Sequence, residues 1–199
     1  MNFAEKNHLS DPKKALRHLA RARRKAVSGA MREEATRSIS RNLLTCARDW
    51  PPALIAGYYA MGSEADVLPA LALLSQAGHS LALPAIHQNA LLFRAFHIGD
   101  PLQNGPLKTL EPAEDQPLCS PTVVLVPLLA FDRSLMRLGQ GAGFYDRALA
   151  ELRRQGPVLA IGIAFSCQMS ETALPAEPHD QSLDLVVTEQ AIYRPQTGS

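Results

Sequence analysis

A chain of 199 residues suits one domain, and a hydrophobic content of 46% supplies one sizeable core. The formal net charge of +1 gives the molecule no overall attraction to nucleic acid or to an acidic membrane surface. Cys46, Cys119 and Cys167 are scattered and form no CxxC pair, which argues against a disulfide framework or a zinc knuckle. No stretch approaches the ~20 apolar residues of a membrane span. The opening residues lack the apolar core of a signal peptide, so the cytoplasm is the expected compartment.

Ser10-Asp11-Pro12 predicts a helix start, with Asp11 capping free N–H groups and Pro12 in the first helical position. The helix is expected to run to Val27. Leu16, Leu19, Ala20 and Val27 fit an apolar face, and Lys13, Arg17, Arg21 and Arg24 fall on another. Ser28 is expected to cap a second helix with Met31, Ala35, Ile39 and Leu43 along one side, ended by Trp50-Pro51-Pro52. Residues 54–59 predict a buried strand. Asp66 then caps a helix carrying Leu68, Leu71 and Leu74, which Gly78 stops. Strands follow at 80–85 and 91–97. The stretch 99–121, rich in Pro, Gly and acids, is expected to be a long surface loop. Residues 123–126 predict a strand, 144–154 a helix, 158–164 a strand, and 185–188 the last strand.

Strands alternating with helices predict a three-layer α/β/α sandwich around a mostly parallel or mixed sheet, preceded by an N-terminal helical pair. The whole chain is read as one domain, with 1–10 and 190–199 as flexible tails. Ligands in such sheets sit beyond the carboxyl ends of the strands. The loops after Tyr59, Val126 and Ala164 are therefore the places to look.

The densest chemistry lies in 137–147, Arg-Leu-Gly-Gln-Gly-Ala-Gly-Phe-Tyr-Asp-Arg. Three alternate glycines open a helix, so backbone N–H groups and the helix N-terminus can approach an anion closely. Arg137 adds charge. Asp146, in the first helical turn, is placed to hold a divalent cation against phosphates. The spacing is neither a Walker loop nor a GxGxxG fingerprint, and a plain turn remains an open use of the glycines. Lys13 and Arg17 form either a solvated face or a polyphosphate contact. Glu64 either belongs to a capped turn or faces a ligand with polar ring edges. Asp180, in the proline-stiffened loop 175–180, is either a solvated acid or a second metal carboxylate.

In this order the segments resemble one family, the 5-formyltetrahydrofolate cyclo-ligases, also called methenyltetrahydrofolate synthetases. The resemblance is carried by Lys13-x-x-x-Arg17, Tyr59-x-x-Gly62-Ser63-Glu64, residues 126–132, the 137–147 segment, and 164–165 through 175–180. It implies an ATP- and magnesium-dependent cyclisation of 5-formyltetrahydrofolate, with or without a polyglutamate tail, to 5,10-methenyltetrahydrofolate. The formyl oxygen would be phosphorylated, and N10 would then displace phosphate. By the same resemblance Lys13, Arg17 and Arg137 contact ATP, with Gly139, Gln140, Gly141, Ala142, Gly143 and Phe144 around its phosphates. Tyr59, Glu64 and Phe144 hold the folate, Arg137 and Tyr145 are catalytic, and Asp146 and Asp180 bind Mg2+. Asp132 braces the loop. This chain is expected to act as a monomer, without nucleic-acid or membrane partners.

This chain departs from the family pattern at Gln140 (often Arg, Lys or Tyr), Ala142 (often Gly), Phe144 (commonly Tyr), and in the loop 105–112, where an aromatic-containing turn is usual. A sugar-phosphate isomerase, an acyl-CoA transferase-like enzyme and a non-catalytic nucleotide or folate binder are the competing readings.

Overall fold

In the computed structural model, which describes residues 12–195, the chain opens with helix α1, Pro12–Ala26. Asp11, the expected cap, lies outside the described residues. The faces of α1 correct the expectation. Leu19 is exposed, whereas Lys13, Leu16, Arg17, Ala20 and Arg24 lie on the inward stripe. Cations can turn inward here because they meet carboxylates and carbonyl oxygens, as shown below. Helix α2, Gly29–Ala47, buries Ala35, Ile39, Leu43 and Ala47, while Met31 is 67% exposed, so its apolar side begins one turn later than expected. Ser28 holds the N-cap position without a capping side-chain bond.

The remaining elements are β1 (Leu54–Ala56), α3 (Leu68–Gln76), β2 (Ser80–His87), β3 (Ala90–Phe96), β4 (Leu102–Asn104), β5 (Leu110–Pro112), β6 (Val123–Pro127), β7 (Ala130–Phe131), β8 (Arg137–Leu138), α4 (Phe144–Gln155), β9 (Leu159–Ile163), β10 (Leu185–Val187) and β11 (Ile192–Tyr193). Val67 holds the N-cap position of α3, and Asp66, the expected cap, sits one residue earlier, where its carboxylate accepts the Leu68 N–H at 2.9 Å. Gly78 follows the end of the helix at φ +96°.

The main sheet has the order β11-β10-β9-β6-β1-β2-β3. Strands β2, β1, β6, β9 and β10 run parallel, and β3 and β11 pair antiparallel at the two edges. Parallel strands need both faces covered, which explains the continuous apolar run of β6. Val123 and Leu125 join the core beneath α2 and α3, with Ile39, Leu43, Leu71 and Leu74. Val124 and Val126 point the other way, to Leu149 and Leu152 of α4. Each fully buried Leu or Ile contributes about 1.5–3 kcal/mol, so the two helical layers hold the sheet between them. Helix α1 makes a third, smaller contact through Leu16 and Ala20 with Leu129, Ala130 and Leu138, on the β7–β8 hairpin.

Three segments differ from the sequence expectation. The strands β2 and β3 form one hairpin across Gln88-Asn89, both left-handed at φ 46° and 64°, a two-residue turn that suits strand twist. The stretch 99–121 is not a bare loop. Its β4 and β5 pair with each other, and the Ala95 N–H donates to the Pro117 carbonyl, tying the segment to the edge of β3. At the other edge, Ile192–Tyr193 pairs with Val187 and Val186 as β11, so a strand follows 185–188, inside the stretch read as a tail. Edge strands this short carry too little periodicity to stand out in sequence.

Candidate active site

One cavity of about 450 Å³ opens at the carboxyl ends of β1 and β6, where Tyr58, Tyr59 and Leu128 follow those strands. Every residue implicated from sequence lines it: Lys13, Arg17, Tyr59, Glu64, Arg137, residues 139–146 and Asp180. Three devices bring them together.

The first is the β7–β8 hairpin. The buried Asp132 accepts the N–H groups of Ser134 (2.9 Å) and Met136 (3.1 Å) on one oxygen, and that of Leu174 (2.8 Å) on the other. That is the bracing role expected of it, and it sets the exit of β8. Arg137 is thereby placed inside the wall, its side chain only 5% exposed. It donates to Asp146 Oδ1 at 2.8 Å and to the Gln181 carbonyl. Burial lowers the Arg137 pKa, while the Asp146 and Asp180 carboxylates oppose that shift. The Gln181 N–H also donates to Asp146 Oδ1, at 2.9 Å. That bond joins the wall bearing Asp146 to the loop bearing Asp180.

The second device is the glycine loop. Gly141 (φ +107°) and Gly143 (φ +66°) use backbone that side chains rarely adopt, and Gly143 is the N-cap of α4. The first-turn N–H groups of α4 have no partner within the helix, and they open beside this loop. A Cβ on Gly141 would sit 3.2 Å from the Arg17 guanidinium carbon, so the glycine also admits the cation. Arg17 Nε donates to the Gly139 carbonyl at 3.2 Å. Gln140 accepts from Arg21 at 2.9 Å, which brings a guanidinium to a position where this chain lacks its own cation. Phe144 lies under the Arg147 guanidinium, 5.2 Å from the ring centre.

The third device is α1. Lys13 bridges Glu177 and Asp180, each at 2.8 Å. Burial works against the Lys13 ammonium, but its bonds to Asp180 and Glu177 outweigh that and raise its pKa. Burial likewise disfavours the Asp180 carboxylate, but the hydrogen bonds it accepts from Lys13 and from the Glu177 N–H outweigh that and lower its pKa. About three turns further on, Arg24 is 5% exposed and donates to Ser63 (3.1 Å), to the Leu128 carbonyl (3.1 Å) and to Glu64 (3.5 Å). Glu64 is 8% exposed, and its second oxygen accepts the Met61 N–H at 3.0 Å.

Helical spacing places Arg24 on the basic face of α1 but gives no sign of its burial against Glu64. Nor does the sequence mark Tyr58, which lines the cavity and whose hydroxyl donates to the Ala65 carbonyl at 2.9 Å. Burial, with Glu64 nearby, holds the phenols of Tyr58 and Tyr145 well above their ordinary pKa. Arg24→Met should leave Glu64 buried and uncompensated, a loss of about 3–5 kcal/mol. Thermal melts should show that Glu64→Gln restores most of this in the double variant. Equal melting temperatures for Arg24→Met and wild type would show that the pair carries no stability.

The donors for a cation are hard oxygens. Asp146 Oδ2 and Asp180 Oδ1 accept no hydrogen bond among the described residues, so each aspartate keeps one oxygen for an ion. One ligand atom from each of Glu177, His179 and Asp180 lies within 4.8 Å of the others, and Asp146 is not part of that cluster. The carboxylate oxygens, rather than the His179 nitrogen, suit Mg2+.

A cation-rimmed, largely apolar cavity at the strand ends of a mixed sheet is the arrangement of an α/β protein that takes a small molecule. Residues 9–189 match the model of the 5-formyltetrahydrofolate cyclo-ligase family. The chain belongs to that family, whose members are ligases. It is 32% identical over 186 residues to the 5-formyltetrahydrofolate cyclo-ligase of Escherichia coli K12, covering 88% of this chain and 99% of the relative. Its fold is similar to the NMR structure of Aquifex aeolicus 5,10-methenyltetrahydrofolate synthetase, with TM-score 0.73 and 28% identity over 94% of both chains. It is also similar to the synthetase of Mycoplasma pneumoniae, with TM-score 0.72 and 25% identity over 89% of this chain and 99% of that one. Family membership sets aside the isomerase and transferase readings. No helix among the described residues is long and apolar enough to cross a membrane.

Proposed function

We propose that this chain closes 5-formyltetrahydrofolate to 5,10-methenyltetrahydrofolate at the expense of ATP, with Mg2+, releasing ADP and phosphate. The observation that carries the reading is that one cavity is lined by two kinds of residue. Lys13, Arg17, Arg137 and the glycine loop suit phosphates, and Tyr59, Ile86, Leu91 and Leu107 suit a flat ring system.

The chemistry needs a poor leaving oxygen made good. The formyl oxygen attacks the γ-phosphorus and ADP departs. N10 then attacks the activated carbon, loses its proton, and phosphate leaves with the former formyl oxygen. Such transfers depend on positioning and charge stabilisation. The loop 139–143 wraps the phosphates with its N–H groups. Lys13, Arg17 and Arg137 neutralise phosphate oxygens, and Arg137 follows the transferred group because it is buried and forked. Mg2+, held by Asp146 and Asp180, would supply further charge neutralisation on the phosphates. Glu64, with Tyr59 and Phe144, holds the folate. Tyr145, with its phenol kept protonated, offers a donor where the two ligands meet.

Cys46, Cys119 and Cys167 are all free thiols, which supports a reducing, cytoplasmic setting. Purified protein mixed with ATP, Mg2+ and 5-formyltetrahydrofolate should produce the absorbance of the methenyl product, and none when ATP is left out. Equal conversion without ATP would sink the reading.

A further inference from the structure

The cavity holds a second buried carboxylate that the scheme above leaves unused. Glu111 on β5 is 5% exposed and lines the cavity. One of its oxygens accepts the Thr109 hydroxyl. Its other oxygen accepts no hydrogen bond, and no cation lies within ion-pair distance of Glu111, among the described residues. Glu64 differs on both counts. Its two oxygens are taken by Arg24 and by the Met61 N–H. The Glu111 oxygen that no protein donor takes is not sealed off in the interior, so it faces the cavity and is open to a donor from a bound molecule.

The surrounding chain is shaped to keep it there. A Cβ on Gly105 would overlap the Glu111 carboxyl group. Leu107 and Lys108 both sit at φ 61°, an unfavourable value for residues with side chains. Their tight turn carries Thr109 back to its bond with Glu111. Leu107, 63% exposed, lines the same cavity. A hydrogen-bond acceptor beside an apolar wall is the arrangement that recognises the N–H edge of a flat heteroaromatic ring.

We propose that Glu111 is a specificity-determining residue that accepts N–H donors from the heteroaromatic ring of the substrate, through the oxygen that Thr109 leaves open. The proposal rests on the cyclo-ligase reading, which supplies a ring of that kind. It gives Glu64, already neutralised by Arg24, the lesser share of ring recognition.

The test is binding of 5-formyltetrahydrofolate without ATP, and of ATP without folate, to wild type, Glu111→Gln and Thr109→Val. Glu111→Gln keeps size and can still accept from Thr109, but it loses charge. It should weaken folate binding about tenfold or more, leave ATP binding unchanged, and leave the unliganded melting temperature unchanged or higher. Thr109→Val should lower the melting temperature while retaining most of the folate affinity. Wild-type folate affinity in Glu111→Gln overturns the proposal. So does a parallel loss of ATP binding and of thermal stability, because that marks a purely structural residue. Wild-type protein that fails to convert 5-formyltetrahydrofolate would instead remove the cyclo-ligase reading itself, and this proposal with it.

Discussion

Arg137→Met is expected to reduce turnover by roughly 10³-fold, the scale of losing a cation aimed at a transferring phosphoryl group. The guanidinium is well placed for that loss to be large. It is almost wholly buried, fixed by Asp146 and the Gln181 carbonyl, and it lines the cavity beside the glycine loop. Little water is available to take its place. The substitution also leaves Asp146 partly buried without its cation, which should cost about 3–5 kcal/mol. At roughly 2–4 °C per kcal/mol for a chain of this size, the melting temperature should fall by about 6–20 °C. The two effects separate if kinetics are run well below both transitions. Arg137→Lys restores a point charge but not the fork that spans Asp146 and Gln181, so it should recover stability more than rate. Turnover within tenfold of wild type in the folded Met variant would remove Arg137 from the reaction.

The second large effect concerns magnesium. Asp146→Asn and Asp180→Asn should each raise the Mg2+ concentration needed for half-maximal turnover about tenfold or more, and the double variant should cost less than the sum. The structure adds a distinction between them. Asp146 compensates the buried Arg137, so its loss should also depress the unliganded melting temperature. Asp180 answers Lys13 near the rim, and its stabilising share depends on pH. Its folded pKa is lowered, so that share is fully present above the unfolded carboxyl pKa, about 3.9, and is lost as pH falls through the folded value. The Lys13 pKa is raised, so its share is present below about pH 10.4 and is lost as pH rises through the folded value. Wild type and Asp180→Asn should therefore differ most in melting temperature across the neutral range and converge in acid below about pH 4. Unchanged Mg2+ dependence in Asp180→Asn would make that aspartate a partner of Lys13 alone.

Short, chemically dense segments were legible without coordinates. The run 137–147 showed both its glycine turn and the helix that follows, because each depends on residues within one turn of chain. The alternation within β6 was hidden by its continuous apolar character, yet that character itself indicates a strand covered on both faces. Asp66 before α3 and Asp132 in the hairpin act on N–H groups a few residues away, so their roles could also be read locally.

The inward turn of the basic stripe could not be read this way. Helical spacing puts Lys13, Arg17 and Arg24 on one stripe, but it does not say whether that stripe meets water. Arg24 is buried because Glu64 and the Leu128 carbonyl, 40 and 104 residues away, receive it. The burial of Glu111 follows from the β4–β5 pairing and the missing side chain of Gly105, and the edge strand β11 exists only because β10 offers it open hydrogen bonds. The sequence by itself determined the family, the layered α/β class and the residues that meet in the cavity, since these follow from residue type and local backbone chemistry. Only the tertiary structure decided which charges are buried and with whom, because the cost of withdrawing a charge from water is set by partners that the fold brings from distant parts of the chain.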